Sequence, residues 1–246
     1  MSLIQQVEVS GFELSNPYVN WRLPIACYTY TRGRELESKL VSTIDNIEKL
    51  YSISKPNSIN NGDGGTSTRN ILTSNFIHYN ILDDLKCPLI VDLKKFIGEC
   101  YMHYIHDVVK DSNPDTTNIV ATCWANKLEQ YDYLSDHTHT KLTSDIESTS
   151  VAGHYFICGG EIPTYTTYSS PAYIDDRHDD SISITNTPGT LTLFPMFVRH
   201  KTSANRNRDH RYSLGMDIKR NYYEKTRVSV GEYRPCIVNL FEEDNT

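Results

Sequence analysis

A chain of 246 residues can bury a sizeable core and is of a length for one large domain, taken here as residues 1–246. Hydrophobic residues at 38%, charged residues at 22% and 17 tyrosines exclude a disordered chain, which lacks the apolar surface to offset its own ordering entropy. A net charge of -7 excludes a generally basic surface, so nucleic acid is not the expected partner.

The elements follow in chain order. After a strand-like N-terminal segment, ELESKLVSTIDNIEKLY places Leu36, Leu40, Ile44, Ile47 and Tyr51 on one helical face. The polar stretch SKPNSINNGDGGTSTRN, residues 54–70, then predicts a solvated loop; its glycines are followed by no Lys-Ser/Thr pair and do not make a phosphate cradle. A second helix is predicted over Pro88–Lys110, with Pro88 at its start and apolar residues from Leu89 to Val108 at helical spacing. His103 and His106 on it lack a third ligand at matching spacing, which favours ordinary packing or surface roles. Helical support therefore spans about 34–110.

From Asn118 the texture changes to short β-rich runs punctuated by Gly, Pro, Asn and Asp, among them NIVATCWANKL, SVAGHYFICGG, GTLTLFPMFV and RYSLGMDI. Helices first and strands after, with no βαβ alternation, predict an α+β fold: a jelly-roll core at about 118–240 with helices packed on one sheet. The charged run DDRHDD, residues 175–180, reads as a loop between strands. The six cysteines, Cys27, Cys87, Cys100, Cys123, Cys158 and Cys236, form no CxxC pair and predict buried free thiols. No apolar run reaches membrane-spanning length, and MSLIQQVEVSGF has no basic start followed by an apolar stretch. The expected compartment is the cytoplasm, that of the host if the chain is of phage origin.

The chemistry centres on SDHTHTKL, residues 135–142. On an extended strand His137 and His139 point to one face, a geometry that suits a metal chelate and also suits any half-exposed polar strand. Further on, His200 ends one strand-like run and Arg211 opens the next, so an open-sided site could draw a third imidazole and a guanidinium from neighbouring strands.

Across roughly residues 121–218 the chain resembles the Fe(II)/2-oxoglutarate-dependent oxygenases, above all the prolyl-4-hydroxylase-like branch and the small phage and bacterial proteins grouped with it. SVAGHYFICGGE is similar to that branch's strand ending in Gly-Gly-Glu, TPGTLTLFP to its Pro-x-Gly strand, and RYSL to its Arg-x-Ser. The resemblance implies a double-stranded β-helix that binds Fe(II), 2-oxoglutarate and O2. It implies His137 and His200 as metal ligands, Arg211 as the partner of the far carboxylate of 2-oxoglutarate, Ser213 as an added hydroxyl there, and Tyr155 as a further hydrogen-bond partner. A guanidinium suits the carboxylate because its planar fork offers two donors and stays charged.

At His139 the chain departs from the family's HxD/E pattern. The expected site is three imidazoles, His137, His139 and His200, one charge more positive than a triad of two His and one carboxylate. Asp136 and Asp145 are the carboxylates that could complete a conventional triad instead. The reaction implied is hydroxylation of an unactivated C–H bond with release of succinate and CO2, on a protein or peptide side chain ahead of a small metabolite and then a nucleobase. A cupin-type metal protein is disfavoured because no Glu falls four or five residues past the HxH pair and no His follows Pro188-Gly189 at the cupin spacing. A noncatalytic jelly-roll interaction or virion protein is the other alternative. The oligomeric state is not legible in these motifs.

Overall fold

The chain opens on strand β1 (Ile4–Ser10), paired antiparallel with β2 (Ile25–Tyr30). The computed structural model describes residues 4–10, 24–54, 71–72, 80–84, 86–111, 118–139, 150–169, 181–220 and 238–241. Helix α1 (Gly33–Ser54) follows, and a two-residue strand β3 (Ile71–Leu72) and a 3-10 turn (Ile81–Asp83) lead to helix α2 (Pro88–His103). The remaining strands are β4 (Ile119–Leu128), β5 (Val151–Cys158), β6 (Tyr165–Ser169), β7 (Ser181–Thr185), β8 (Thr190–Pro195), β9 (Arg199–Thr202), β10 (Arg211–Arg220) and β11 (Val238–Asn239). The predicted loops at 55–70 and 175–180, Asp145 and Cys236 lie outside the described residues.

Two sheets result. The larger runs β1-β2-β8-β5-β10-β4-β11 with β3 also on β4, and the smaller runs β7-β6-β9. A bridge between His137 and His200 adds the segment before residue 140 to the free side of β9. This is a double-stranded β-helix, with α1 and α2 packed on the larger sheet. One cluster joins Leu36, Leu40 and Ile44 of α1, Phe96 and Ile97 of α2, and the even-numbered Tyr212, Leu214, Met216 and Ile218 of β10. The four-residue spacing in α1 puts its three aliphatic side chains on one stripe, and each contributes about 1.5–3 kcal/mol when taken out of water.

Side chains alternate along a strand, so the odd-numbered residues of β10 face the other way, toward the smaller sheet. There a second cluster holds Ala152, Phe194, Tyr168 and Val198 between the two layers. The region between the sheets is where the polar residues of interest collect.

Two features differ from the sequence-based expectation. The jelly roll is not confined to the C-terminal half: β2, with Ile25, Ala26, Cys27, Tyr28 and Tyr30 all buried, sits inside the larger sheet between β1 and β8. The second helix does not stay α-helical to Lys110. It widens to a π-helical turn over Tyr104–Val109 and ends at Lys110, whose φ of 61° is left-handed. The wide turn keeps Tyr104 and Ile105 buried, and the Tyr104 hydroxyl donates to the Pro24 carbonyl at 2.6 Å.

Candidate functional site

The segment leading to His139 runs antiparallel to β9. The His137 amide donates to the His200 carbonyl at 3.0 Å and the His200 amide donates back at 2.9 Å, while the His139 amide reaches the Met196 carbonyl at 3.0 Å. This register brings one side chain from β9 and two from its neighbour to a single point. The ligand atoms of His137, His139 and His200 all lie within 4.8 Å of one another, and the His137 and His200 rings are 4.2 Å apart.

Each imidazole has its Nδ1 occupied. His137 Nδ1 donates to the Ser135 carbonyl at 2.7 Å, His200 Nδ1 to the Val198 carbonyl at 3.1 Å, and His139 Nδ1 to Asp217 Oδ1 at 2.5 Å. A carbonyl only accepts, so the proton of His137 and of His200 stays on Nδ1 and Nε2 carries the lone pair that could bind a metal. Burial, reinforced by the other two imidazoles, holds His200 well below the usual histidine range and keeps it neutral. Asp136 is turned outward, where Arg199 Nε and Nη2 hold it at 2.9 and 2.8 Å.

Across the interlayer space lies Arg211, 1% exposed and the first residue of β10. Its Nη2 donates to His154 Nε2 at 3.5 Å and, with the Asn186 amide turned to satisfy its neighbours, to Asn186 Oδ1 at 3.2 Å. Its Nε and Nη1 have no hydrogen-bond partner among the described residues. Burial without a carboxylate alongside lowers the guanidinium to about 10. Ser213 follows on the same face, also 1% exposed.

On the same interlayer face, Asn126 Oδ1, opposite Ser213, is likewise buried and unpartnered among the described residues, and the Tyr168 hydroxyl is buried beside Thr192. Tyr168 pairs with His200 across β6 and β9, and its ring stacks 6.0 Å from the His200 ring. Arg211 Nε and Nη1 and Asn126 Oδ1 thus put three buried polar atoms without a partner among the described residues on the interlayer face of the larger sheet. Buried polar groups without partners are costly, and their concentration here marks a place built for a polar ligand. An anion bearing a carboxylate at one end and metal-binding oxygens at the other suits this lining. Three imidazoles suit a divalent metal of the first transition row.

The structure brings His137, His139, His200, Arg211 and Ser213 to one interlayer space. It does not bring Tyr155 there. Tyr155 faces the helices, in the same cluster as Leu36 and Leu214, and its hydroxyl lies near Gly33. Its neighbour His154 points to Arg211 instead, and burial plus the Arg211 charge lower that imidazole to about 3. Sequence reasoning missed His154, Tyr168, Asn126 and Asp217. β5 is buried on both faces, so alternation along VAGHYFIC does not show which set meets Arg211. For Asp217 a signal existed: it is six residues past Arg211 on β10, hence on the same face.

No protein-family model and no curated protein sequence matches the chain. Solved structures match in fold, and the fold is the double-stranded β-helix found in non-haem 2-oxoglutarate oxygenases. SnoK, the non-haem alpha-ketoglutarate-dependent carbocyclase from nogalamycin biosynthesis, shares it at TM-score 0.50 and 10% identity, over 80% of this chain and 79% of that one. AviO1 from Streptomyces viridochromogenes Tue57 does so at TM-score 0.50 and 9% identity, over 82% of this chain and 91% of that one. The Pseudomonas putida prolyl-4-hydroxylase is a more distant likeness, at TM-score 0.41 and 12% identity over 72% and 88% of the two chains. No helix among the described residues is long and apolar enough to cross a membrane.

Proposed function

We propose that this chain is a non-haem Fe(II) and 2-oxoglutarate-dependent dioxygenase. One juxtaposition supports the reading: three imidazoles with occupied Nδ1 atoms face the same space as a fully buried guanidinium that has no carboxylate partner among the described residues. An isolated buried charge is unfavourable by several kcal/mol in the absence of a counter-ion, and a keto acid carboxylate would be that counter-ion. His137, His139 and His200 would hold the metal, and Arg211 with Ser213 would hold the far carboxylate.

When bound, the metal and the keto acid would supply the oxidising chemistry with O2 as the oxidant, one oxygen atom going to 2-oxoglutarate as it becomes succinate and CO2 and the other into a substrate C–H bond. The chain's own part is to bind, orient and exclude water. Nδ1 hydrogen bonds fix the ring orientations, Arg211 sets the direction in which the keto acid lies, and Phe194 and Tyr168 wall the space between. Neutral His154 orients a guanidinium donor and takes up no proton at working pH. We further propose a protein or peptide side chain as substrate, from the motif resemblance, and the cytoplasm as compartment, where the five described free thiols stay reduced.

Anaerobic protein loaded with stoichiometric Fe(II) is expected to develop a visible charge-transfer band on addition of 2-oxoglutarate. His137→Ala and His200→Ala should each abolish it, and aerobic protein should release succinate. Absence of both band and succinate in the wild type would leave a noncatalytic jelly-roll protein as the reading.

A further inference from the structure

We infer that Asp217 is the positioning residue of the metal centre, its carboxylate standing behind His139 and supplying, one imidazole removed, the negative charge that a third histidine takes out of the ligand set. This rests on the metal-centre reading proposed above. Two of the three Nδ1 partners are local and neutral: the carbonyls of Ser135 and Val198, each two residues before the histidine it serves. The third differs in kind. Asp217 is 78 residues from His139 in sequence, comes from the other sheet, and makes the shortest of the three contacts at 2.5 Å.

Its placement is rigid. Asp217 lies within β10, paired with Thr122 of β4 on one side and Ala152 of β5 on the other. His139 is the one partner its carboxylate has among the described residues. On the same face Gly215 leaves room for the Trp124 indole, whose ring lies 5.5 Å from the His139 ring. The His139 side chain is thus held from the larger sheet while its backbone follows the segment that bridges β9 and bonds the Met196 carbonyl. A carboxylate accepting Nδ1–H orients the ring, keeps Nε2 toward the metal and makes it a stronger donor, the arrangement of a carboxylate–histidine–metal relay. One strand, β10, then serves both ends of the site: Arg211 toward the keto acid and Asp217 toward the metal.

The test is a coupled set of variants read by Co(II) affinity in competition titrations and by the Co(II) visible spectrum. Asp217→Asn, which keeps the shape and removes the charge, is expected to weaken Co(II) binding roughly 10–100-fold and to shift the spectrum. The melting temperature of the metal-free protein should stay unchanged. In a His139→Asp background the same Asp217→Asn change should cost nothing or improve binding, because Asp217 then faces a second carboxylate instead of an N–H. An effect of less than about threefold in the parent, or an equal loss in both backgrounds, would overturn the role assigned to Asp217. Asp217→Ala serves by the same criteria should the Asn variant not fold. Failure of the wild type to bind Co(II) or Fe(II) would instead bring down the metal-centre reading itself.

Discussion

Arg211 is a side chain that costs the fold free energy and that its proposed chemistry needs. A guanidinium that is 1% exposed, with Nε and Nη1 unpartnered among the described residues, destabilises the ligand-free fold. Arg211→Met is therefore expected to hold or raise the melting temperature of the ligand-free protein while weakening 2-oxoglutarate at least about tenfold, the loss of a charge-assisted pair. Calorimetry on the Co(II)-loaded protein and a thermal melt of the ligand-free protein check the two halves; a destabilised variant with intact keto acid affinity would count against the assignment. His154 makes a second prediction at this scale. Its folded value of about 3 lies below the ordinary histidine range near 6.5, so the unfolded chain takes up a proton that the folded chain refuses. Stability is full above pH 6.5 and falls as the pH drops toward 3, by on the order of 3 kcal/mol at pH 4 from this residue. In His154→Gln the acid-side decline in urea midpoint of the metal-free protein should be shallower, and identical slopes would refute the burial argument. His137 and His139 could be named because the parity of an HxH pair is countable, and His200, Arg211 and Ser213 because the strand motifs around them resemble those of a known family. His154 could not, since choosing it over Tyr155 needs the register of β5 against β10, a long-range property absent from local pattern.

Elements divide their faces as strictly as residues do. β10 gives Arg211, Ser213, Gly215 and Asp217 to the interlayer space and Tyr212, Leu214, Met216 and Ile218 to the helices. Two glycines on this part of the sheet test that division, one on each face. A Cβ on Gly215 would lie 2.6–2.8 Å from the Trp124 indole, and one on Gly153 would lie 2.6 Å from Met216 Cγ. Both Gly215→Ala and Gly153→Ala overpack and should destabilise by about 1–3 kcal/mol. Only Gly215→Ala should also lower Co(II) affinity, because its clash moves an indole whose ring lies 5.5 Å from that of His139, whereas Gly153 clashes into the helix-side core. Melts with paired Co(II) titrations check this, and equal effects on metal binding would mean the two faces are coupled through the sheet. The helices were legible because α1 and α2 carry one apolar stripe each, and most of the C-terminal strands because turn residues bracket them. What stayed hidden is long-range or context-driven: β2 entering the larger sheet far from its sequence neighbours, and the π-helical close of α2, where burial of Tyr104 and Ile105 overrides a pattern that continues at α-helical spacing.

At the scale of the whole molecule, the site lies across a seam. The three imidazoles belong to the smaller sheet and its added segment, while Arg211, Ser213 and Asp217 belong to the larger one. Metal alone would staple the segment carrying His137 and His139 to β9; metal with keto acid would tie one sheet to the other. Stabilisation should therefore come in two ordered steps. A ligand held at 100 times its dissociation constant adds about 2.7 kcal/mol, which for a chain of this size raises the melting temperature by roughly 5–10 °C. Co(II) alone should give one such increment, reversed by a chelator. 2-Oxoglutarate should give little by itself and a second increment once Co(II) is present, because Arg211 grips only one end of it and the imidazole-held ion the other. In Arg211→Met the first increment should survive and the second vanish, whereas His200→Ala should lose both. A full keto acid increment in metal-free protein would mean that the Arg211 pocket binds the carboxylate independently of the imidazoles, and the two halves of the seam would then be separate sites.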